Sequence, residues 1–263
     1  IRPMIDLNYI NGFYPPRIAT NASLQKHLLK EYIQLMVLDY LASTAYISKL
    51  AFIGGTNLRL VKGIDRFSED LDFDCKHLSE QEFVEMTDGV ISFLQKSGLN
   101  AVARDKANAR LTAFRRNIYF PEFLFELGLS GHKEERFLLK IEAQDQGTDY
   151  PIEMKHVQRC GFFFSLPTPP DPVLLAMKFS ALLARAKGRD FYDTMFLMQQ
   201  TKPSYVFLRE RVGIANPEQL KDALHAKLNT TDLKVKKRDF EHLLFDVHAA
   251  EKILLFPAII ERL

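Results

Sequence analysis

Apolar residues recur at helical spacing in the first part of the chain and in its last third, and they alternate with polar residues in between. Leu24, Leu28, Leu29, Tyr32, Leu35 and Met36 mark an amphipathic helix. Asn21 or Ser23 can cap it, and it runs to about Ser48 with a break at Ser43-Thr44. Residues 1–20, with Pro3, Tyr9, Tyr14, Pro15 and Pro16, read as an irregular arm. Residues 50–53 read as a strand and 58–61 as a short helix. Residues 67–74 read as a second strand, in which acids alternate with Leu71 and Phe73. A helix over 79–97 opens on the capping box Ser79-Glu80-Gln81-Glu82 and ends at Gly98.

The stretch 99–144 reads as mainly β, with strands over 101–103, 111–120, 123–129 and 137–143. Gly131-His132-Lys133-Glu134 is an exposed turn between the last two. Phe162-Phe163-Phe164 predicts a final strand, and Pro167, Pro169, Pro170 and Pro172 a linker. Helices follow over 173–186, 190–200, 205–212, 217–227 and 236–260. The pattern therefore predicts a mixed sheet domain over residues 1–166 and a helical domain over 167–263.

Composition adds limits. The 263 residues are 47% hydrophobic, enough to build one elongated domain or two smaller ones. A net charge of +2 does not announce a nucleic-acid binder, but the cations are clustered. Arg104, Lys106, Arg110, Arg115 and Arg116 form one group. Lys178, Arg185, Lys187 and Arg189 form a second, and Lys234, Lys236, Lys237 and Arg238 a third. Such runs are more often solvated faces than polyanion sites. Cys75 and Cys160 belong to no CxxC pair, which argues against zinc and for a reducing compartment. No apolar run approaches the roughly 20 residues that span a bilayer, and no signal peptide is visible. A soluble cytoplasmic protein is expected.

Three constellations carry candidate chemistry. Gly54-Gly55-Thr56 ends a strand where backbone N–H groups can meet a phosphate, although an ordinary strand-to-helix turn has the same look. Asp70, Asp72 and Asp74 alternate along one strand, so their carboxylates project from one face. Hard oxygen donors so placed suit Mg²⁺ or Mn²⁺, and two such ions can clamp the attacking and leaving oxygens of a phosphoryl transfer. The alternative is an acid-bearing edge strand. Glu142 is the first candidate for a third carboxylate, with Glu126 and Asp145 in reserve. The third constellation runs from Lys178 to Asp193. Lys178, Leu182, Arg185 and Arg189 share a helix face where cations could pair with phosphate oxygens. Asp190 and Asp193 could equally be a helix cap and a first-turn acid.

In this order the pieces resemble a known family. Phe52-Ile53-Gly54-Gly55-Thr56-Asn57-Leu58-Arg59, Arg66-Phe67-Ser68-Glu69-Asp70-Leu71-Asp72-Phe73, Leu175-Ala176-Met177-Lys178 and Arg185-Ala186-Lys187-Gly188-Arg189-Asp190-Phe191-Tyr192-Asp193 are similar to motifs of AbiEii-type nucleotidyltransferase toxins, in the DNA polymerase β-like nucleotidyltransferase superfamily. The likeness covers most of the chain. It implies an α+β fold, with a nucleotidyltransferase-type mixed sheet, flanking helices, an α-helical C-terminal domain and a cleft between them. It implies a Mg²⁺- or Mn²⁺-dependent transfer of NMP from an NTP to a hydroxyl, with Asp70 and Asp72 as metal ligands. Nucleotide contacts are expected at Gly54, Gly55, Thr56, Arg66, Ser68, Arg185 and Arg189. Lys178, Asp190 and Asp193 are expected to serve binding and catalysis, and Glu142 to be a third ligand able to help deprotonate the hydroxyl. The expected partners are an RNA acceptor such as a tRNA 3′ end and a separately encoded antitoxin. A protein or small-molecule acceptor, or a non-catalytic nucleotide-binding relative, is the alternative. Asp74 is expected at the solvent-exposed end of its strand.

Overall fold

The computed structural model of the protein describes residues 5–105 and 113–263. Pro3, Lys106, Arg110 and the start of the strand expected from Leu111 lie outside the described residues. The protein is α+β. A five-stranded mixed sheet contains β1 (Leu50–Ile53), β2 (Asp70–Cys75), β3 (Val102–Ala103), β4 (Phe114–Tyr119) and β5 (Leu138–Gln144), in the order β1-β2-β5-β4-β3. β2 and β5 run parallel, whereas the β1–β2, β4–β5 and β3–β4 pairs are antiparallel. A separate hairpin joins β6 (Glu153–Arg159) to β7 (Phe162–Thr168). Its turn uses Cys160 and Gly161, both with positive φ (50° and 81°), a conformation that glycine adopts freely and cysteine rarely does.

The chain divides into two compact units. The first comprises Ile1–Lys62, Phe67–Asp145 and Met154–Thr168, and the second Gly63–Arg66, Gln146–Glu153 and Pro169–Leu263. In the first unit one sheet face is apolar: Leu71 and Phe73 of β2, Leu139 and Ile141 of β5 and Ile118 of β4 are all buried. The helix Glu80–Lys96 covers that face, with Phe83 stacked on Phe114 of β4. Its capping box forms as expected: Ser79 accepts from the Glu82 N–H while Glu82 accepts from the Ser79 N–H. The long N-terminal helix is Gln25–Ala42, preceded by a 3₁₀ turn that Asn21 caps. It stops where Ser43 and Thr44 turn their hydroxyls back onto the carbonyls of Tyr40 and Leu41.

Three expectations need correction. The 123–129 segment is not a strand but a helical turn, Phe123–Glu126. Glu122 enters it in the left-handed region (φ 53°), and the turn buries Phe123 and Leu124 while exposing Phe125, which strand alternation would not do. The N-terminal arm holds two short helices, Leu7–Asn11 and Pro16–Ala19, the second opening on a proline whose missing N–H costs nothing there.

The second unit holds the helices Asp171–Arg185, Gly188–Met198, Tyr205–Val212 and Pro217–Asn229. The third correction falls at its end. The single helix expected over 236–260 is a series of short turns: Lys237–Asp239, Glu241–Leu243 and Val247–Leu255 are 3₁₀, and Phe256–Ile260 is α-helical. Asp246 interrupts the series by capping the third turn through the His248 N–H. The buried residues Ala250, Ile253 and Phe256 recur every third position, which matches three residues per turn.

Candidate active site

The polar face of the first unit's sheet is set by strand alternation. Asp70 and Asp72 are half-buried on β2, opposite the buried Leu71 and Phe73. The parallel register sets Asp70 beside Lys140 and Asp72 beside Glu142 of β5. The antiparallel register on the far side of β5 sets Arg115 beside Glu142 and Asn117 beside Lys140. These side chains therefore share one face across three strands. Lys140 Nζ lies 3.0 Å from Asp70 Oδ2 and 3.0 Å from Glu142 Oε2. The Arg115 guanidinium donates to Glu142 Oε1. Burial pushes the Glu142 carboxyl up, but Lys140 and Arg115 outweigh it and hold the group below the usual carboxylate range. Burial also pulls the Lys140 ammonium down, and Asp70 and Glu142 more than reverse this. Asp74 corrects an expectation. It is 1% exposed, not at a solvent-exposed end, and lies between Ala51 of β1 and Gln144 of β5.

The glycine turn adjoins these acids. Gly54 has φ +79°, open to glycine and strained for other residues, and it starts the helix Gly54–Leu60. A Cβ added there would meet Asp72 Oδ2 at 2.3 Å and Asp72 Cβ at 2.9 Å. The Thr56 hydroxyl, itself buried, donates to the Asp70 carbonyl. Asn57 donates to the Phe52 carbonyl at 2.7 Å. The helix start is thereby pinned to β1 and β2. Ser68 is buried, and its carbonyl accepts from Gln34 Nε2 at 3.1 Å.

Asp70, Asp72 and Glu142 supply the hard oxygen donors that Mg²⁺ or Mn²⁺ prefers, from neighbouring strands on one face. The donor chemistry fits such an ion. Among the described residues no three His, Cys, Asp or Glu side chains are close enough to form a ready cage. Between Asp70 and Glu142 the bridging group is the Lys140 ammonium.

In the second unit the other predicted residues form two ion-pair clusters. Asp193 is fully buried, accepting from Arg66 Nε and Nη2 at 2.6 Å each and from Lys178 Nζ at 2.7 Å. Arg66 is buried too. Burial pushes the Asp193 carboxyl up, but Arg66 and Lys178 prevail and bring it down to about 2. Asp190, also fully buried, accepts from Arg185 Nε and Nη2 at 2.9 and 2.8 Å and from the Lys187 N–H at 3.1 Å. Arg185 keeps nearly half its side chain exposed, and Arg189 is half-buried. Gly188 allows the Lys236 carbonyl to come within 2.0 Å of where a Cβ would stand.

The profile of the family described as nucleotidyl transferase AbiEii toxin, type IV TA system, matches residues 37–252. The chain belongs to this family. The match spans both units, from the helix before β1 to the 3₁₀ turns near the end. Among solved structures, MenT4, a nucleotidyltransferase toxin from Mycobacterium tuberculosis, shares the fold: TM-score 0.62 and 16% identity over 99% of this chain and 91% of that one. JHP933 from Helicobacter pylori matches with TM-score 0.49 and 18% identity over 90% of this chain and 92% of that one. No curated protein matches.

For a member of this toxin family, the sequence reading of this face left out Lys140, and it had Arg115 only as one of a cationic cluster. The signal was available for Lys140, because a residue two positions before Glu142 on a strand must share its face. It also passed over Glu31, a buried acid that accepts from Arg59 Nε at 2.8 Å and from the Tyr14 hydroxyl at 2.9 Å. That pair ties the N-terminal arm and the long helix to the helix that follows the glycine turn.

Proposed function

We propose that the protein is a Mg²⁺- or Mn²⁺-dependent nucleotidyltransferase that moves NMP from an NTP onto an RNA hydroxyl, such as a tRNA 3′ end. One observation carries this reading: Asp70 and Asp72 share a face of β2 with Glu142 in register beside them, against a glycine that leaves no room for a side chain. Asp70, Asp72 and Glu142 would hold the metal, which when bound supplies Lewis-acid activation of the α-phosphate and of the attacking hydroxyl.

The acceptor oxygen bonds to the α-phosphorus, the bond from that phosphorus to the bridging oxygen breaks, and pyrophosphate leaves. Arg115 donates to Glu142 and, together with a bound metal, would keep it a weak base, so its part would be ligation and the hydroxyl proton would pass to water. Gly54, Gly55, the backbone of Thr56 and Ser68 would cradle the outer phosphates. The Thr56 hydroxyl, engaged with the Asp70 carbonyl, positions β2. In the second unit we assign Lys178, Arg185 and Arg189 to phosphate charge. Asp190 and Asp193, both fully buried against cations, would act by positioning Arg185 and Lys178, and Arg66 by completing the Asp193 pair.

The acceptor reading draws on the same sheet face. β4 continues it with Arg115, Asn117 and Tyr119, and the Arg104 guanidinium lies over the Tyr119 ring at 4.8 Å. Cations interleaved with an aromatic ring suit single-stranded RNA. The exposed Lys234 and Arg238 of the second unit are further candidate phosphate contacts. We read the chain as the toxin of a toxin–antitoxin pair, a reading that the family's description as a type IV TA system toxin supports, and we extend it to an abortive-infection role in the cytoplasm. No helix among the described residues is long and apolar enough to cross a membrane.

The test incubates the protein with α-labelled NTPs, Mg²⁺ and total RNA. Label should enter RNA, and chelation or Asp72→Ala should abolish it. If no metal-dependent label reaches RNA, protein or a small molecule, the transferase reading fails. Equal growth arrest from wild type and Asp72→Ala in cells would remove the link between transfer and toxicity.

A further inference from the structure

Resting on the metal site proposed above, we infer that Lys140 competes with the divalent cation for Asp70 and Glu142, so that metal loading requires its ammonium to leave those oxygens. The parallel register forces this arrangement. Asp70 faces Lys140, Asp72 faces Glu142, and all four side chains lie on one sheet face. Lys140 Nζ bridges Asp70 Oδ2 and Glu142 Oε2 at 3.0 Å each, and Arg115 holds the second Glu142 oxygen.

Carboxylates crowded together repel, and these two cations offset that repulsion. A Mg²⁺ or Mn²⁺ ion drawing on the same oxygens places two positive charges within a few ångströms of the ammonium, at a site only partly exposed to water. The arrangement is one-sided. Arg115 approaches Glu142 from β4, on the side away from Asp72, and can keep its pairing. Lys140 is on β5 itself and spans the two acids that must share an ion. Its four-carbon stem lets the ammonium swing aside without moving the strand. Lys140 is thus a positioning residue that lowers metal affinity while offsetting the repulsion between Asp70 and Glu142.

Mn²⁺ binding to the full chain, followed by the electron paramagnetic resonance signal of free Mn²⁺, tests this without any turnover. Lys140→Met and Lys140→Gln should bind Mn²⁺ on the order of tenfold more tightly than wild type, the scale of one removed like charge near a protein surface. Asp72→Ala should bind more weakly. If Asp72→Ala weakens binding while both Lys140 variants bind no tighter than wild type, the competition is overturned and the metal site stands. If Asp72→Ala binds as wild type does, the metal site falls and the competition with it. A second measurement uses the unaltered protein, so it survives a variant that does not fold. Amine acetylation read by mass spectrometry should rise at Lys140 when Mn²⁺ is added, and stay level at exposed lysines such as Lys133. Unchanged or reduced labelling of Lys140 would overturn the inference.

Discussion

Gly54 and Asp72 are packed so closely that a methyl group on the first would overlap the carboxylate of the second, 2.3 Å from Oδ2. Gly54→Ala therefore carries two separable penalties. The left-handed backbone (φ +79°) costs a non-glycine residue about 1–2 kcal/mol, a modest loss of stability. Displacement of Asp72 should cost far more in transfer. We expect a small drop in Tm and a loss of label transfer on the order of a hundredfold. A variant as active as wild type would detach Asp72 from the chemistry.

Asp72→Asn keeps the size of the side chain and removes its charge. Transfer should fall on the order of a hundredfold or more, the scale of losing one electrostatic stabiliser of the transition state. Circular dichroism and the melting midpoint should change little, because Asp72 is half-buried on a polar face. Steady-state kinetics with varied Mg²⁺ provide the check: high Mg²⁺ should restore only part of the rate.

Asp193→Ala should behave in the opposite way, as a stability variant first. It leaves Arg66, which is 1% exposed, and the buried Lys178 without their shared counter-charge. Breaking a buried pair from one side costs about 3–5 kcal/mol. Urea unfolding should show the midpoint falling with no change in slope. A loss below about 1 kcal/mol would mean that the cluster is not the buried anchor its geometry describes.

The same carboxyl sets a pH dependence. It titrates at about 2 in the folded chain, against about 3.9 for an unperturbed aspartate. Because the folded value is the lower one, folding favours the ionised form. That stabilisation is complete above about pH 4 and is lost as pH falls toward 2. Thermal melts between pH 6 and 2 should show Tm of the wild type falling below pH 4 more steeply than Tm of Asp193→Asn. Parallel curves would contradict the assignment.

Tyr119→Ala removes a ring that lies under Arg104. If single-stranded RNA stacks there, binding should weaken by about 1–3 kcal/mol, roughly five- to 150-fold. Arg115→Gln should instead reduce the salt dependence of RNA binding. Fluorescence anisotropy across a salt series separates the two effects, and RNA binding unaltered in both variants would move the acceptor elsewhere.

What could be read from the chain follows physical rules with local reach. The helix from Gln25, the strand at Leu50, the acidic strand and the capped helix at Glu80 announced themselves through periodicity and caps. The failures came where tertiary contacts overrode a local pattern. Phe123-Leu124-Phe125 has strand propensity, yet Glu122 enters in the left-handed region and the segment closes into a turn. Asp239 leaves the C-terminal helical pattern to accept from the Gly188 N–H at 3.0 Å. Asp74 looked like a solvated strand end because burial by neighbouring strands leaves no mark in sequence.

The acids themselves were legible, whereas their environment was not. Alternation puts Asp70 and Asp72 on one face, but only the pairing of β2 with β5 reveals that Lys140 stands beside Asp70. Likewise the spacing of Asp190 and Asp193 marks a helix start, and does not show that Asp193 closes on an arginine from the distant segment before β2.

The parallel pairing of β2 with β5 also fixes when the proposed centre can come into being. A parallel neighbour cannot follow by a tight turn, and here a long helix, two other strands and the Phe123–Glu126 helical turn intervene before Glu142 is synthesised. A ribosome that has already released the whole acidic motif has released only two of the three carboxylates of the proposed site. The ladder that brings Glu142 and Lys140 alongside is a long-range contact, of the kind that forms late in folding. If the proposed metal site is right, a chain truncated before β5 keeps Asp70 and Asp72 and still lacks the carboxylate and the ammonium that stand beside them.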